Sequence, residues 1–561
     1  MCFLLLTRMA SADAAPALLE LPTPCLLAVL QCLADDPASL FSAARAHSRL
    51  HQAAVLALRS ITVTIFHQQH ADSILQYLAS PPSQHLSSIS LSGEYRDDDD
   101  DPRAGNHVEP VIALRRLPCN LQLSSIELNR LDLQLQTHAP HKGADTPHSA
   151  AARSHLKQLR LTECRLLDGP QGLAAVLSKL PSLEHLALDK LRSGHSRRSI
   201  RFPTTVLQQL QQLTNLELAC KLTAPGKHQE KPALEPLQVL TRLVDVRFVG
   251  NNRHLVLAGM LSGARGLTRL SCAKACVEPS VLVGRTQLQH LQLQQCRLHP
   301  DAGPEGVAQL LSQLQELTQL THLQLEGSLS SALPAAAYSA LVASSKLQHL
   351  GMSGCTLPEG VWQHLFPAGR QLLHLRSLDI SKIWEPSAEH AAAPEGSRLV
   401  SCCPGLQSLN LQHLQRSGQV LGPLQGLSGL HTLLLAAPCL EWEALLVADG
   451  REFDAVCQLT GLRELKLTAP DALQEELLMK LTQLQHLTRL TYTGRVDGIT
   501  VVHIFVSDLL VRGTAGQAFH RSQISECTVC WQHWHGCLHA CQQQDTCWKY
   551  ARTSNTECTQ S

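Results

Sequence analysis

Residues 288–298 read LQHLQLQQCRL, residues 320–325 read LTHLQL and residues 347–357 read LQHLGMSGCTL. Apolar and polar residues alternate in each, the period-2 signature of a short strand with one buried face. The text L-x-x-L-x-L begins again at Leu156, Leu183, Leu375, Leu406 and Leu462, and in weaker form at Leu86, Leu123, Leu213, Leu243, Leu267, Leu430 and Leu487. That makes about fifteen copies, about 21 to 37 residues apart. Between them lie GPQGLAAVLSKLPS, VLQQLQQLT, GVAQLLSQLQELT and ALQEELLMKLTQLQ, whose leucines recur at spacings of three and four, as on a helix face. One strand with one helix cannot bury its leucines alone. Stacked copies bury them in a continuous core, so residues 61–498 are expected to form an α/β solenoid, with parallel strands on the inner curve and helices outside.

Three copies carry Cys164, Cys296 and Cys355 where the chain leaves the strand and the side chain turns inward. With that position filled by cysteine, the repeat resembles the cysteine-containing class of leucine-rich repeats. The resemblance implies an interaction protein that holds other macromolecules.

Ahead of the repeats, residues 16–60 read as a compact helical module: Leu21-Pro22, then Leu26, Leu27, Leu30 and Leu33 at helical spacing, a break at Asp35-Asp36-Pro37, then Leu40, Phe41 and Ala44. In type and order these residues resemble the F-box, although Ala46-His47-Ser48-Arg49-Leu50 replaces the usual Val-Cys-Arg-x-Trp ending. The resemblance to F-box/leucine-rich-repeat proteins implies that Leu21, Pro22, Leu26, Leu27, Leu30 and Leu33 meet a Skp1-type adaptor of a cullin complex, while the repeats take an unknown protein substrate. An amphipathic cap on the first repeat would show the same pattern, because a solenoid end must be covered. The alternative is a repeat scaffold or inhibitor with no ubiquitin-ligase role.

The 561 residues are 44% hydrophobic and 4% aromatic, with Lys+Arg and Asp+Glu equal at 47 each. Such a balance gives no field that favours nucleic acid or an anionic membrane. No apolar run approaches the roughly 20 residues that span a bilayer. The run from Cys2 to Leu6 is shorter than a secretory core, residues 1–15 read as disordered, and Met9 is an alternative start. Cysteines set in strand text fit small buried thiols better than disulfides. The expected compartment is therefore reducing, cytoplasmic or nuclear.

The residues between the leucines face the inner curve, and equal positions in successive copies lie about 4.8 Å apart. His290, His322 and His349 fall in one column, with His185 earlier, and Gln292, Gln324 and Gly351 in the next. The histidine and glutamine columns form a candidate partner-binding patch that gains charge only in mild acid. In a chain with 29 histidines the columns also fit plain abundance. Asp97 to Asp101 form an acidic run. Arg192, Arg197, Arg198 and Arg201 form a basic loop, in which Arg197 and Arg198 are candidates for an acidic or phosphorylated segment.

After Ile499 the repeat stops, and 499–525 reads as a cap. Residues 526–561 hold Cys527, Cys530, Cys537 and Cys541 with several histidines and three tryptophans. Their spacing matches no standard zinc finger, so these cysteines are weak metal candidates, and an irregular tail is the reading adopted. No G-x-S-x-G, phosphate loop, H-E-x-x-H or EF-hand text is present. The expectation is a binding protein without a cofactor.

Overall fold

The computed structural model describes most of residues 58–501, together with Pro22, Leu26, Leu30, Ala53 and Ala54. It leaves out 95–109, 115–120, 136–154, 195–199, 224–238, 250–260, 385–393, 437–450, 469–479, 502–561 and a few shorter stretches. The described residues place seventeen strands in one sheet. In chain order these are β1 (Ser60–Ile65), β2 (Ser88–Gly93), β3 (Ser125–Asn129), β4 (Gln158–Thr162), β5 (His185–Asp189), β6 (Asn215–Ala219), β7 (Asp245–Val249), β8 (Arg269–Ala273) and β9 (His290–Gln294). They continue with β10 (His322–Glu326), β11 (His349–Gly351), β12 (Ser377–Asp379), β13 (Ser408–Asn410), β14 (Thr432–Ala436), β15 (Glu464–Thr468), β16 (Arg489–Val496) and β17 (Ile499–Val501).

Each of the first fifteen pairs in parallel with the next in the chain. β17 turns back antiparallel onto β16 and ends the parallel ladder. The register is set by the leucines: Leu291 faces Leu323, Leu323 faces Leu350 and Leu350 faces Leu378. A one-residue slip would turn every leucine to the open face. This is the leucine-rich-repeat architecture, and it has one more rung than the leucine text suggests. The extra rung is β1, where Leu58, Ile61 and Val63 occupy the motif positions with β-branched residues in place of two leucines.

The leucines form one core cluster that runs from Leu26 to Leu490. Truncating a fully buried member such as Leu323 to alanine costs about 2–5 kcal/mol, because the stacked rungs cannot collapse into the gap. The connectors are more varied than one helix per unit. Residues Gly169–Leu177 and Gly303–Glu316 are α-helical, whereas Thr204–Gln209, Pro279–Leu282, Ala335–Val342 and Pro423–Gly426 are 3-10 turns. The segment VLQQLQQLT was expected to be helical. Only its first four residues are helical, as the end of the 3-10 turn Thr204–Gln209, because the chain must return to the next strand, Asn215–Ala219, within a few residues.

Where the chain leaves the strand, one column is left-handed: Arg130, Glu163, Lys190, Lys274, Gln295, Lys382 and His413 share it with Gly327 and Gly354. The next residue then turns inward. There the Cys164 thiol donates to the Leu128 carbonyl at 3.3 Å, the Cys296 thiol to that of Cys272 at 3.3 Å, and the Cys355 thiol to that of Leu325. In the intervening rung the Ser328 hydroxyl donates to the Leu293 carbonyl at 2.9 Å. In these four rungs the short side chain adds a hydrogen bond to the carbonyl one rung back, whereas in the others the same place is filled by Leu131, Leu191, Ala275, Ile383 or Leu414, buried by apolar packing alone. Burial pushes the Cys164 thiol up to about 12 and that of Cys355 up to about 11, so both stay protonated and unreactive near neutral pH.

Candidate functional site

Along the ladder the leucine positions are buried, and the alternating positions are half-buried or exposed, as in β9 and β10. Each open position therefore carries whatever residue that rung supplies, above a core that does not change. From β4 to β9 these residues enclose a hollow of about 410 Å³. Ala187 leaves room in β5, and Arg160 of β4 reaches past it to Glu217 of β6 at 3.4 Å. Glu217 also meets Arg247 of β7 at 3.2 Å, and Asp245 meets Arg269 of β8 at 3.3 Å. Three guanidiniums thus face two carboxylates. The surplus cation and the partial exposure of every member suit the hollow to an acidic group on a partner.

Past the hollow, the histidine column forms a stack. The His290 and His322 rings lie 4.1 Å apart between centroids at 23°, and the His322 and His349 rings 4.0 Å apart at 18°. The His322 Nδ1 shares a 2.9 Å hydrogen bond with the Thr321 hydroxyl. Burial, followed by repulsion from its two neighbours, pulls His322 down to about 4. His290 is lowered by burial and then by the Arg269 charge, and His349 by burial. The stack is therefore neutral well into the acid range, further than the mildly acidic switching expected from the sequence. Beside it the Ser271 hydroxyl donates to Gln292 Oε1 at 3.0 Å, and Gln292 Nε2 donates to Gln324 Oε1 at 3.1 Å. His290, Gln292, His322, Gln324 and His349 accordingly form one contiguous surface.

His185 lines the hollow and lies apart from that stack. Arg197, Arg198 and the run Asp97 to Asp101 lie outside the described residues, as do Leu21, Leu27, Leu33, Cys527, Cys530, Cys537 and Cys541. Pro22 is exposed, and its carbonyl accepts the Leu26 N–H at 3.0 Å. Leu26 and Leu30, one helical turn apart, are each 1% exposed and belong to the core cluster. The charged hollow leaves only a weak signal in the sequence, because no residue type repeats along it as histidine and glutamine do. The same columns, read on through Arg160, Glu217, Asp245, Arg247 and Arg269, alternate in sign. Among the described residues, no group of three His, Cys, Asp or Glu side chains is placed to hold a metal ion. No described helix is long and apolar enough to cross a membrane.

No protein-family model matches the chain, and no curated protein matches it. Among solved structures, the chain is similar to an internalin (inlF) from Listeria monocytogenes, with 16% identity over 65% of this chain and 86% of that one and a TM-score of 0.38. It is also similar to the functional domain of InlJ from Listeria monocytogenes, which includes a cysteine ladder, with 15% identity over 76% of this chain and 77% of that one and a TM-score of 0.37. A third likeness is to the plant peptide hormone receptor RGFR1 in complex with RGF2, at 13% identity over 73% and 78% of the two chains and a TM-score of 0.29.

Proposed function

We propose that the chain is a non-catalytic protein-binding solenoid and serves, in the cytoplasm or nucleus, as the substrate-recognition subunit of a Skp1-cullin-F-box ubiquitin ligase. The observation that carries the binding reading is the open sheet face. Sixteen parallel rungs hold a heterogeneous polar surface over a leucine core that stays the same whatever the surface residues are. Such a face encodes a partner in its columns of side chains. The ligase reading adds the Leu21-Pro22 module, whose order ahead of cysteine-type repeats is that of F-box/leucine-rich-repeat proteins. A scaffold or inhibitor with no ligase role is the second reading. The burial of Leu26 and Leu30 in the core favours it, since that is what an end cap requires.

Two experiments separate the readings. Purified full-length chain is tested for retention of a Skp1-type adaptor; retention that is lost in Leu27→Asp with an unchanged melting temperature supports the ligase role. No retention by the wild type ends it. Leu26 and Leu30 are poor choices for this purpose, because a charge there disrupts the core before it reports on binding. Affinity capture with mass spectrometry, repeated with Arg160→Glu and Arg247→Glu together, identifies partners of the open face. A partner captured equally by both proteins does not use the hollow.

A further inference from the structure

The chain of side-chain amides on the open face has a direction. Ser271 donates to Gln292 and Gln292 donates to Gln324, which leaves the Gln324 Nε2 hydrogens as its leading donors, with no protein acceptor among the described residues. The position next in register is Gly351, and the one beyond it is Asp379. The chain therefore stops where a side chain is missing. A Cβ on Gly351 would already lie 3.3 Å from Gln324 Cγ, so the Gln324 stem leans towards the glycine. On the far side, Asp379 Oδ1 accepts from the Ser381 N–H at 3.0 Å and the Ser381 hydroxyl at 2.7 Å. Asp379 makes no ion pair among the described residues, and its Oδ2 is left as an acceptor. His349, two residues before Gly351, flanks the place; the next residue in its column is the small Ser377.

We infer that the gap over Gly351 receives the carboxamide of an asparagine or glutamine side chain carried on an extended segment of a partner protein. This rests on the binding reading above and names the chemistry of one contact within it. Gln324 and Asp379 are two rungs apart, about 9.6 Å along the sheet. A hydroxyl is too small to reach both. Guanidinium and ammonium groups only donate and cannot accept from Gln324; a carboxylate only accepts and meets Asp379 as a like charge. A carboxamide has an oxygen for Gln324 and an N–H for Asp379 in one plane, and it restores the missing member of the chain.

The test uses the full-length protein on an array of ten-residue Ala/Ser peptides whose central residue is fixed as Gln, Asn, Arg, Glu, Tyr or Ala. Wild type is expected to retain the Gln or Asn peptides about fivefold more than the Ala peptide, the factor one net hydrogen bond supplies. Gly351→Gln fills the gap from within and is expected to abolish that preference with an unchanged melting temperature. Gln324→Glu, which puts an acceptor where the donor was, is expected to shift the preference to Arg. Equal retention of all peptides, a wild-type preference for Arg, Glu or Tyr, or a carboxamide preference that survives Gly351→Gln overturns the inference. A captured partner that binds the open face equally well with Gly351→Gln also overturns it, while leaving the binding reading in place.

Discussion

The imidazole of His322 lies 4.0 Å from that of His349, their planes 18° apart, so a proton added to either ring sits against its neighbour. Together with burial this holds His322 at about 4, below the usual histidine value. Between about 4 and 6.5 the unfolded chain therefore binds the proton that the folded chain refuses. Stability from this site is full above about 6.5 and falls as the pH drops towards 4. Nuclear magnetic resonance should show the His322 ring titrating near 4, and His322→Gln should flatten the dependence of stability on pH across that window. A ring that titrates near 6.5 would show that the stack is not held in solution.

The inward column of Cys164, Cys296, Ser328 and Cys355 predicts an unusual tolerance. Cys296→Ser should keep stability within about 0.5 kcal/mol, because Ser328 makes the same bond in the next rung. Cys296→Val, similar in volume but without a hydrogen to give, should cost about 0.5–1.5 kcal/mol, the net value of the lost bond to the Cys272 carbonyl. Denaturant midpoints of the two variants decide the matter, and equal losses would mean that the bond to the carbonyl adds nothing to stability.

Arg285 is 3% exposed and lies on the side away from the binding face. Its guanidinium donates to the carbonyl of Val281 at 2.6 Å and to those of Ala264 and Leu261 in the preceding repeat, and makes no ion pair among the described residues. It ties one connector to the next through hydrogen bonds. The Leu261 and Ala264 carbonyls also accept backbone N–H groups, so Arg285→Met, which keeps the stem, should lower stability by about 1.5–3 kcal/mol, the net value of the lost charged bonds, and leave partner binding unchanged. A stability change below about 1 kcal/mol would mean that the guanidinium is replaceable by water.

Glu217 shows how little a surface ion network adds to folding. With its arginine partners about half exposed, Glu217→Ala should change stability by less than about 1 kcal/mol. The same change frees Arg160 and Arg247, so the affinity for an acidic partner should rise and become more sensitive to salt. Isothermal titration at two ionic strengths against a captured partner tests this, and an unchanged salt dependence would place the contact elsewhere.

The ladder was legible because the leucine text fixes strand, face and register at once; Leu291, Leu323 and Leu350 align in space as they do on paper. The histidine column was legible for the same reason. Rung β1 was not, because Ile61 and Val63 fill leucine positions with equally buriable side chains, and no alternation of leucine marks them. The hollow is not legible either, because it depends on Ala187, a residue whose contribution is its small size. Nor does the sequence say that Gln292 donates to Gln324, and Gln324 to no acceptor among the described residues, since direction in an amide chain appears only once the rungs are stacked.

The left-handed column offers a route to a more stable protein. At Gly327 and Gly354 the conformation is free of side-chain strain, whereas Lys274 at φ 56° and Lys382 at φ 53° hold it with a Cβ against the following carbonyl. That conformation costs a non-glycine residue about 1–2 kcal/mol. Replacement by glycine removes the strain and adds back about 0.5–1 kcal/mol of chain entropy. Lys274→Gly and Lys382→Gly should each therefore stabilise the fold by about 0.5–1 kcal/mol. The two sites are several rungs apart and share no side-chain partner, so the gains should add in the double variant. The exposed lysines leave the core untouched, and the binding face should keep its affinity for a captured partner. Chemical denaturation of the two single variants and the double variant measures this directly. Destabilisation in both single variants would mean that the lysine stems contribute more to packing than the backbone loses to strain.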